Sequence, residues 1–264
     1  MGRVDMRAFG IIAVCMLACL PPACERNTND PTVASANRHI VTFDSLGGSA
    51  INQQAVAPGE RLVEPAAPSR AGHTFTGWFT DPACSKPWNF KANTITGDST
   101  LYARWSVNRY TLRYAAGPNG SIGGPAMQAV SHGESGATVT AIPARGHHFV
   151  QWSDGSTANP RTDAAVTANV SVTAAFLIKQ YPLTYAPGAG GSIAGTALQV
   201  VNHGASGSPV TAVPNAGHRF AQWSDGSTAN PRTDAAVTGA ISATAIFTAE
   251  KHRRGVAPPE SPVK

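Results

Sequence analysis

Charge is scarce in this 264-residue chain. Only 13% of residues are Asp, Glu, Lys or Arg, and the formal net charge is +5. So mild and dispersed an excess gives no electrostatic footprint for nucleic acid, and no nucleic-acid partner is expected. Cysteine is nearly missing from the body of the chain. Three of the four cysteines, Cys15, Cys19 and Cys24, sit near the start, and only Cys84 lies further on. Cys84 reads as a lone buried thiol, with pairing to Cys24 in an oxidising compartment as the alternative. There is no C-x-x-C pair and no metal-ligand spacing. G-x-S-x-G, H-E-x-x-H and P-loop patterns are absent too. No cofactor, metal or catalytic residue is expected, and the chain reads as a non-enzyme.

Long apolar runs are also lacking, apart from one. Residues 8–20 (AFGIIAVCMLACL) follow Arg3 and Arg7. The run has the length of a secretory signal core and is short for a membrane span. Met16-Leu17-Ala18-Cys19 resembles a bacterial lipoprotein signal, and Pro21-Pro22-Ala23-Cys24 is the weaker alternative. The expectation is a signal peptide over 1–18, lipidation at Cys19 (alternatively Cys24) and a polar tether over 19–37. A membrane reached through the lipid anchor is then the first partner. The other reading is an ordinary signal whose cysteines are merely small apolar residues. Residues 249–264 (AEKHRRGVAPPESPVK) have no apolar stripe and are expected to be a disordered tail without an apolar anchor.

What is abundant is turn-forming residues, with Gly 26 and Pro 20 between short β-branched runs. That pattern predicts many short strands. The stretch QWSDGSTANPRTDAAVT occurs at 151–167 and again, unchanged, at 222–238, an offset of 222 − 151 = 71 residues. Its flanks match as well: YTLRY with YPLTY, GPNGSIGG with GAGGSIAG, GHHFVQW with GHRFAQW, VSVTAAF with ISATAIF. A more distant copy precedes both, from HIVTFDSLGGSA through AGHTFTGWF to STLYARW. Three tandem domains follow, over 38–106, 109–178 and 180–248. The pivot G-H-x-F-x-x-W and the closing aromatic supply the expected core anchors: Phe75, Trp78 and Trp105; Phe149, Trp152 and Phe176; Phe220, Trp223 and Phe247. In a regular strand Phe149 and Trp152 would face opposite sides, and a bulge is one way to bury both.

The first copy carries VTFDSLGGS, then Val56, Pro58-Gly59, Leu62, Pro65 and Pro68, then RAGHTFTGWFTDPACSKPWNF and GDSTLYARW. On these residues it resembles the Listeria–Bacteroides repeat, the B-repeat of internalin B-like surface proteins. The second and third copies resemble the divergent branch of that family, on YTLRY or YPLTY, the Gly-rich turn and GHHFVQWSDG or GHRFAQWSDG. The resemblance implies a mainly β fold of small β-grasp-like domains on exported bacterial proteins. It also implies attachment or spacing and no catalytic machinery. No leucine-rich repeat domain and no cell-wall sorting signal is recognised.

Some residue types invite chemistry. Asp154 with Asp163, and Asp225 with Asp234, would offer paired carboxylates, but no D-x-D-x-D-G loop lies between them and Asp before Gly suits a tight turn. His147-His148 has no counterpart pair elsewhere, since Arg219 follows His218 and Thr74 follows His73. The Gly-rich turns open no apparent helix, so a phosphate cradle is weakly supported. Trp78, Trp152 and Trp223 suit a core role better than a sugar platform, while Trp88, found in the first copy alone, is freer to bind. The resulting expectation is an exported cell-envelope protein that contacts a surface protein or glycan, or else a stalk without a ligand.

Overall fold

A computed structural model describes residues 37–250. Cys19, Cys24, the signal peptide and the tail from residue 251 lie outside the described residues. Strands make up all the regular structure there, with no helix among the described residues. The first repeat holds β1 (His39–Asp44), β2 (Gln54–Val56), β3 (His73–Phe79) and β4 (Ser99–Val107). The second holds β5 (Arg109–Ala116), β6 (Gly120–Gly123), β7 (Met127–Ser131), β8 (Thr140–Pro143), β9 (His147–Trp152) and β10 (Val170–Ile178). The third holds β11 (Gln180–Pro187), β12 (Gly191–Gly195), β13 (Leu198–Asn202), β14 (Val210–Pro214), β15 (His218–Trp223) and β16 (Ile241–Ala249).

Each repeat builds the same four-stranded sheet, in the orders β2-β1-β4-β3, β7-β5-β10-β9 and β13-β11-β16-β15. The first and last strands of each repeat run parallel at the centre, and the outer strands β2, β7, β9, β13 and β15 are antiparallel to them. This is the β-grasp-like order, and no helix packs on it. In the second and third repeats a two-stranded ribbon, β6–β8 or β12–β14, contributes to the core instead. The closing strands show the reason for the sheet in their composition. Along β10, Val172, Ala174 and Phe176 are buried and the residues between them exposed, the alternation that covers one face of a sheet.

The pivot strands depart from regular alternation. On β9, Phe149 pairs with Phe176 but Gln151 pairs with Ala175, so Val150 is an extra residue. Ala221 is the extra residue on β15, between Phe220 opposite Phe247 and Gln222 opposite Ile246. This bulge rotates the strand enough for both aromatics to meet. The Phe149 and Trp152 rings lie 5.8 Å apart, and those of Phe220 and Trp223 5.7 Å. The opposite-face geometry of a regular strand is therefore not what the chain adopts.

The chain divides into two compact units. One comprises residues up to 68 with 76–104, and the other comprises 69–75 with everything from 105 onward. Within the second unit a small joint is built twice. Lys179 N donates to the Gly146 carbonyl at 2.8 Å, and His203 N donates to the Lys179 carbonyl at 2.8 Å. The His203 ring then lies on Gly146, where an added Cβ would sit 2.2 Å from its Cδ2. Residues Gly72, Asn108 and His132 repeat the arrangement, with backbone bonds of 2.9 and 2.8 Å and a hypothetical Cβ 2.0 Å from His132 Cδ2. Each histidine ring also meets a tyrosine of its own repeat, Tyr110 or Tyr181, with centroids 5.9 Å apart. Gly217 has the same left-handed backbone (φ +73, against +76 at Gly146) but nothing within 4 Å of its Cβ position.

These two glycines make a matched experiment. Gly217→Ala should lose about 1 kcal/mol, the ordinary cost of a side chain at positive φ. Gly146→Ala should lose distinctly more, because the His203 ring must leave its seat. Calorimetric unfolding of the two variants measures the difference, and equal losses would show that the joint contributes no stability.

Candidate functional site

The copied stretch forms a loop that closes over a tryptophan. Trp152 and Trp223 end β9 and β15 and are 0% exposed. Asp154-Gly155 turns the chain at once, with Gly155 N bonded to the Trp152 carbonyl at 2.9 Å. The loop then returns beneath the ring. Trp152 N donates to the Ser156 carbonyl at 2.8 Å, and the indole Nε1 donates to the Ala158 carbonyl at 2.9 Å. Asn159 docks its side-chain amide on Ala141, giving and accepting bonds of 2.8 Å. Its peptide to Pro160 is cis, as is Asn230–Pro231. Arg161 and Val139 then exchange backbone bonds of 2.9 and 2.8 Å.

Arg161 is the centre of the loop, and it is buried, with 7% exposure. Its Nε and Nη2 bind the two oxygens of Asp163 at 2.9 and 2.7 Å, a bidentate pair. Its Nη1 lies 2.8 Å from Asp154 Oδ2. Tyr114 donates its hydroxyl to Asp163 at 2.6 Å. The guanidinium carbon stands 5.5 Å from the Trp152 ring centroid, within cation–π range. The third repeat repeats the set: Arg232 binds Asp234 through Nε and Nη2, both at 2.8 Å, reaches Asp225 and lies 5.4 Å from the Trp223 ring.

Electrostatics follow from this geometry. The Arg161 bonds, aided by the Tyr114 hydroxyl, hold the Asp163 carboxyl below the usual carboxylate range against the opposing effect of burial. Arg232 does the same to Asp234. Burial and the neighbouring Asp234 push the Tyr185 hydroxyl up to about 12, and Tyr114 moves in the same direction. The carboxylates are thus committed to an arginine. A calcium ion would have to displace that arginine, and a general acid would need a raised rather than a lowered carboxyl. Among the described residues no group of three or more His, Cys, Asp or Glu is placed to hold a metal.

The remaining candidates fall out as follows. Trp78, Trp152, Phe176, Trp223 and Phe247 are buried, whereas Phe75, Trp105, Phe149 and Phe220 are half-buried. No buried indole face is therefore offered to a sugar at Trp78, Trp152 or Trp223. His147 and His148 alternate across β9, the first half-buried and the second exposed. The Gly-rich turns lead into ribbon strands. Gly120 lies against the Phe176 ring, 2.2 Å from where its Cβ would be. Cys84 is not the buried thiol expected. It is half-buried at φ +53 in a turn whose Cys84 N bonds the Asp81 carbonyl, because the turn sits on the surface. Arg161, Arg232 and Asn159 were missed by sequence reasoning. Their signal was an N-P-R-T-D run copied intact in a chain with little charge.

Removing Arg161 strands a carboxylate that is 19% exposed. Arg161→Met should destabilise the protein by roughly 3 kcal/mol, read by denaturant unfolding. The lowered carboxyls also fix a pH dependence. The unfolded chain binds more protons below about pH 4, so the stability they contribute is complete above that value and lost as pH falls through the folded values. Asp163→Asn should flatten that acid limb. On the alkaline side, stability linked to the raised Tyr185 is lost between about pH 10 and the folded value of about 12.

Comparison with known proteins agrees with the geometry. The chain is 27% identical over 193 residues to a protein of Evansella cellulosilytica named as a Gly-rich membrane protein; this covers 71% of the chain and 21% of the relative. A second Evansella protein, named as a membrane protein, is 30% identical over 155 residues, covering 56% and 22%. Internalin H of Listeria monocytogenes is 28% identical over 132 residues, covering 48% and 23%. The chain thus spans less than a quarter of the length of these relatives. Family models match the Listeria-Bacteroides repeat domain at residues 39–104 and the divergent InlB B-repeat domain at residues 110–180 and 181–251. The chain therefore belongs to the InlB B-repeat family, with one Listeria–Bacteroides repeat followed by two divergent B-repeats.

Proposed function

We propose that the chain is a non-catalytic attachment module of the bacterial cell envelope, held to a membrane by a lipid on Cys19 or Cys24. The relatives named as membrane proteins and as an internalin support the location. The observation that carries adhesion is at the sheet edges. β7 and β13 are outer strands, each paired on one side only within its sheet. They expose apolar side chains at matching positions: Met127 on β7 is 61% exposed, and Leu198 and Val200 on β13 are 72% and 67% exposed. Met127 pairs with Arg113 and Leu198 with Thr184, the same register in the two copies. An open strand edge with apolar side chains is suited to adding an extended segment of a surface protein. Two such edges in tandem raise avidity without a new kind of contact.

A stalk without a ligand is the second reading, and the His203–Gly146 joint favours it, since it fixes the third repeat to the second. Binding of the chain to immobilised envelope and extracellular-matrix proteins separates the two. Leu198→Lys with Val200→Lys should reduce retention at least tenfold while leaving the melting temperature unchanged, because both residues are exposed. Unchanged retention would remove the edge from the account, and no retention of the folded parent by any surface would favour the stalk.

A further inference from the structure

The first repeat has a feature that the other two lack. After β3 its chain does not form the arginine-clamped loop. Residues 80–88 instead fold over the outer face of the sheet, pinned by Trp88 N on the Trp78 carbonyl at 2.8 Å and by Asp81, which accepts the backbone N–H groups of Ser85 and Lys86. The outer face of β1 and β4 is the floor, where Thr42 pairs with Thr100 and Asp44 with Tyr102. The result is a cleft of about 640 Å³, whose lining includes Thr42, Thr80, Asp81, Trp88, Asp98 and Tyr102. A second, smaller hollow of about 360 Å³ lies along the Trp88–Phe90 side of the same loop. Trp88 is half-buried between them, and its indole N–H finds no acceptor among the described residues.

We propose that this cleft binds a glycan of neutral sugars, so that the first repeat is a sugar-contact domain and the divergent repeats are not. The inference rests on the attachment reading and gives it a ligand class. The chemistry is that of a polyhydroxylated ring. Trp88 and Tyr102 supply aromatic surface for the apolar C–H face of a sugar. Threonine and serine hydroxyls both donate and accept, and the carboxylates accept from paired sugar hydroxyls. Asp98 gives one oxygen to Ile40 N at 2.8 Å, and a carboxylate has room for further donors. The lining contains no lysine or arginine, so a sulfated or otherwise acidic sugar would find no counter-charge. A few convergent polar groups on an aromatic-walled hollow of this size are the usual form of a small-ligand site. The divergent repeats cannot reproduce it. Threonines, Thr173 and Thr244, take the register position of Tyr102, and the clamped loop takes the place of the 80–88 wall.

The test is titration calorimetry of the full chain with neutral oligosaccharides built from N-acetylglucosamine, glucose, galactose or mannose, with a heparin oligosaccharide as the acidic probe. Saturable binding of a neutral oligosaccharide is expected. Trp88→Ala should weaken it at least tenfold and Trp88→Phe less. Thr42→Arg, which fills the cleft from an exposed position, should weaken it at least tenfold with an unchanged melting temperature. Leu198→Lys should leave it unaltered. Equal binding by parent and Thr42→Arg, binding of heparin alone, or no binding of any neutral oligosaccharide would each overturn the proposal. In the last two cases, retention on a protein surface that still depends on Leu198 and Val200 would leave the attachment reading standing.

Discussion

The guanidinium of Arg161, packed over the Trp152 ring and shared between Asp154 and Asp163, sets what the copied loop can be. A 70-residue domain has little core to spare, and a tryptophan is its largest apolar asset. Enclosing that ring requires a long return loop without regular hydrogen bonding. A buried cation fastens the loop, and its cost is met because one carboxylate is bound through two bonds and the other is 41% exposed and keeps water. Each part then constrains the next. Asp163 fixes Tyr114, Asn159 fixes Ala141, and the Arg161 backbone fixes Val139 on the ribbon.

Seventeen unchanged residues across a duplication look at first like a preserved binding site. The contacts offer a different explanation. Trp152, Ser156, Ala158, Asn159 and Arg161 bond to partners inside the same repeat, Gly136 N donates to the Asp163 carbonyl and Val166 N to the Glu134 carbonyl. Trp152, Arg161 and Val166 are buried, and exposed members such as Asp154 and Asn159 spend their polar side chains on holding the loop. Recognition is better sought outside the stretch, on the apolar edges of β7 and β13 and in the cleft over the first sheet.

Much of the fold was legible in residues alone. The matching runs VSVTAAF and ISATAIF, each closing on an aromatic, marked what became β10 and β16, and the recurring G-H-x-F-x-x-W located the pivots. The bulge at Val150 was foreseen only as one alternative, because its register depends on pairing with β10 across the sheet. Arg161 stayed invisible for a physical reason: a charged residue in a polar run reads as solvated, and only the return of the loop onto Trp152 buries it. The joint glycines were equally hidden. Gly146 looks like any turn glycine until His203, far along the chain, is laid on it. Trp88 was picked out by its lack of a counterpart, but the cleft it walls depends on how 80–88 fold across β1 and β4.

The central claim is that the copied loop is scaffold. Native-state hydrogen exchange of the Arg161 and Arg232 amides, bonded to the Val139 and Val210 carbonyls, tests it most directly. Scaffold predicts that these amides exchange as slowly as those of β10 and β16, through opening of the whole repeat. Exchange much faster than the central strands would show a loop that opens on its own, and would return the copied stretch to the list of binding surfaces.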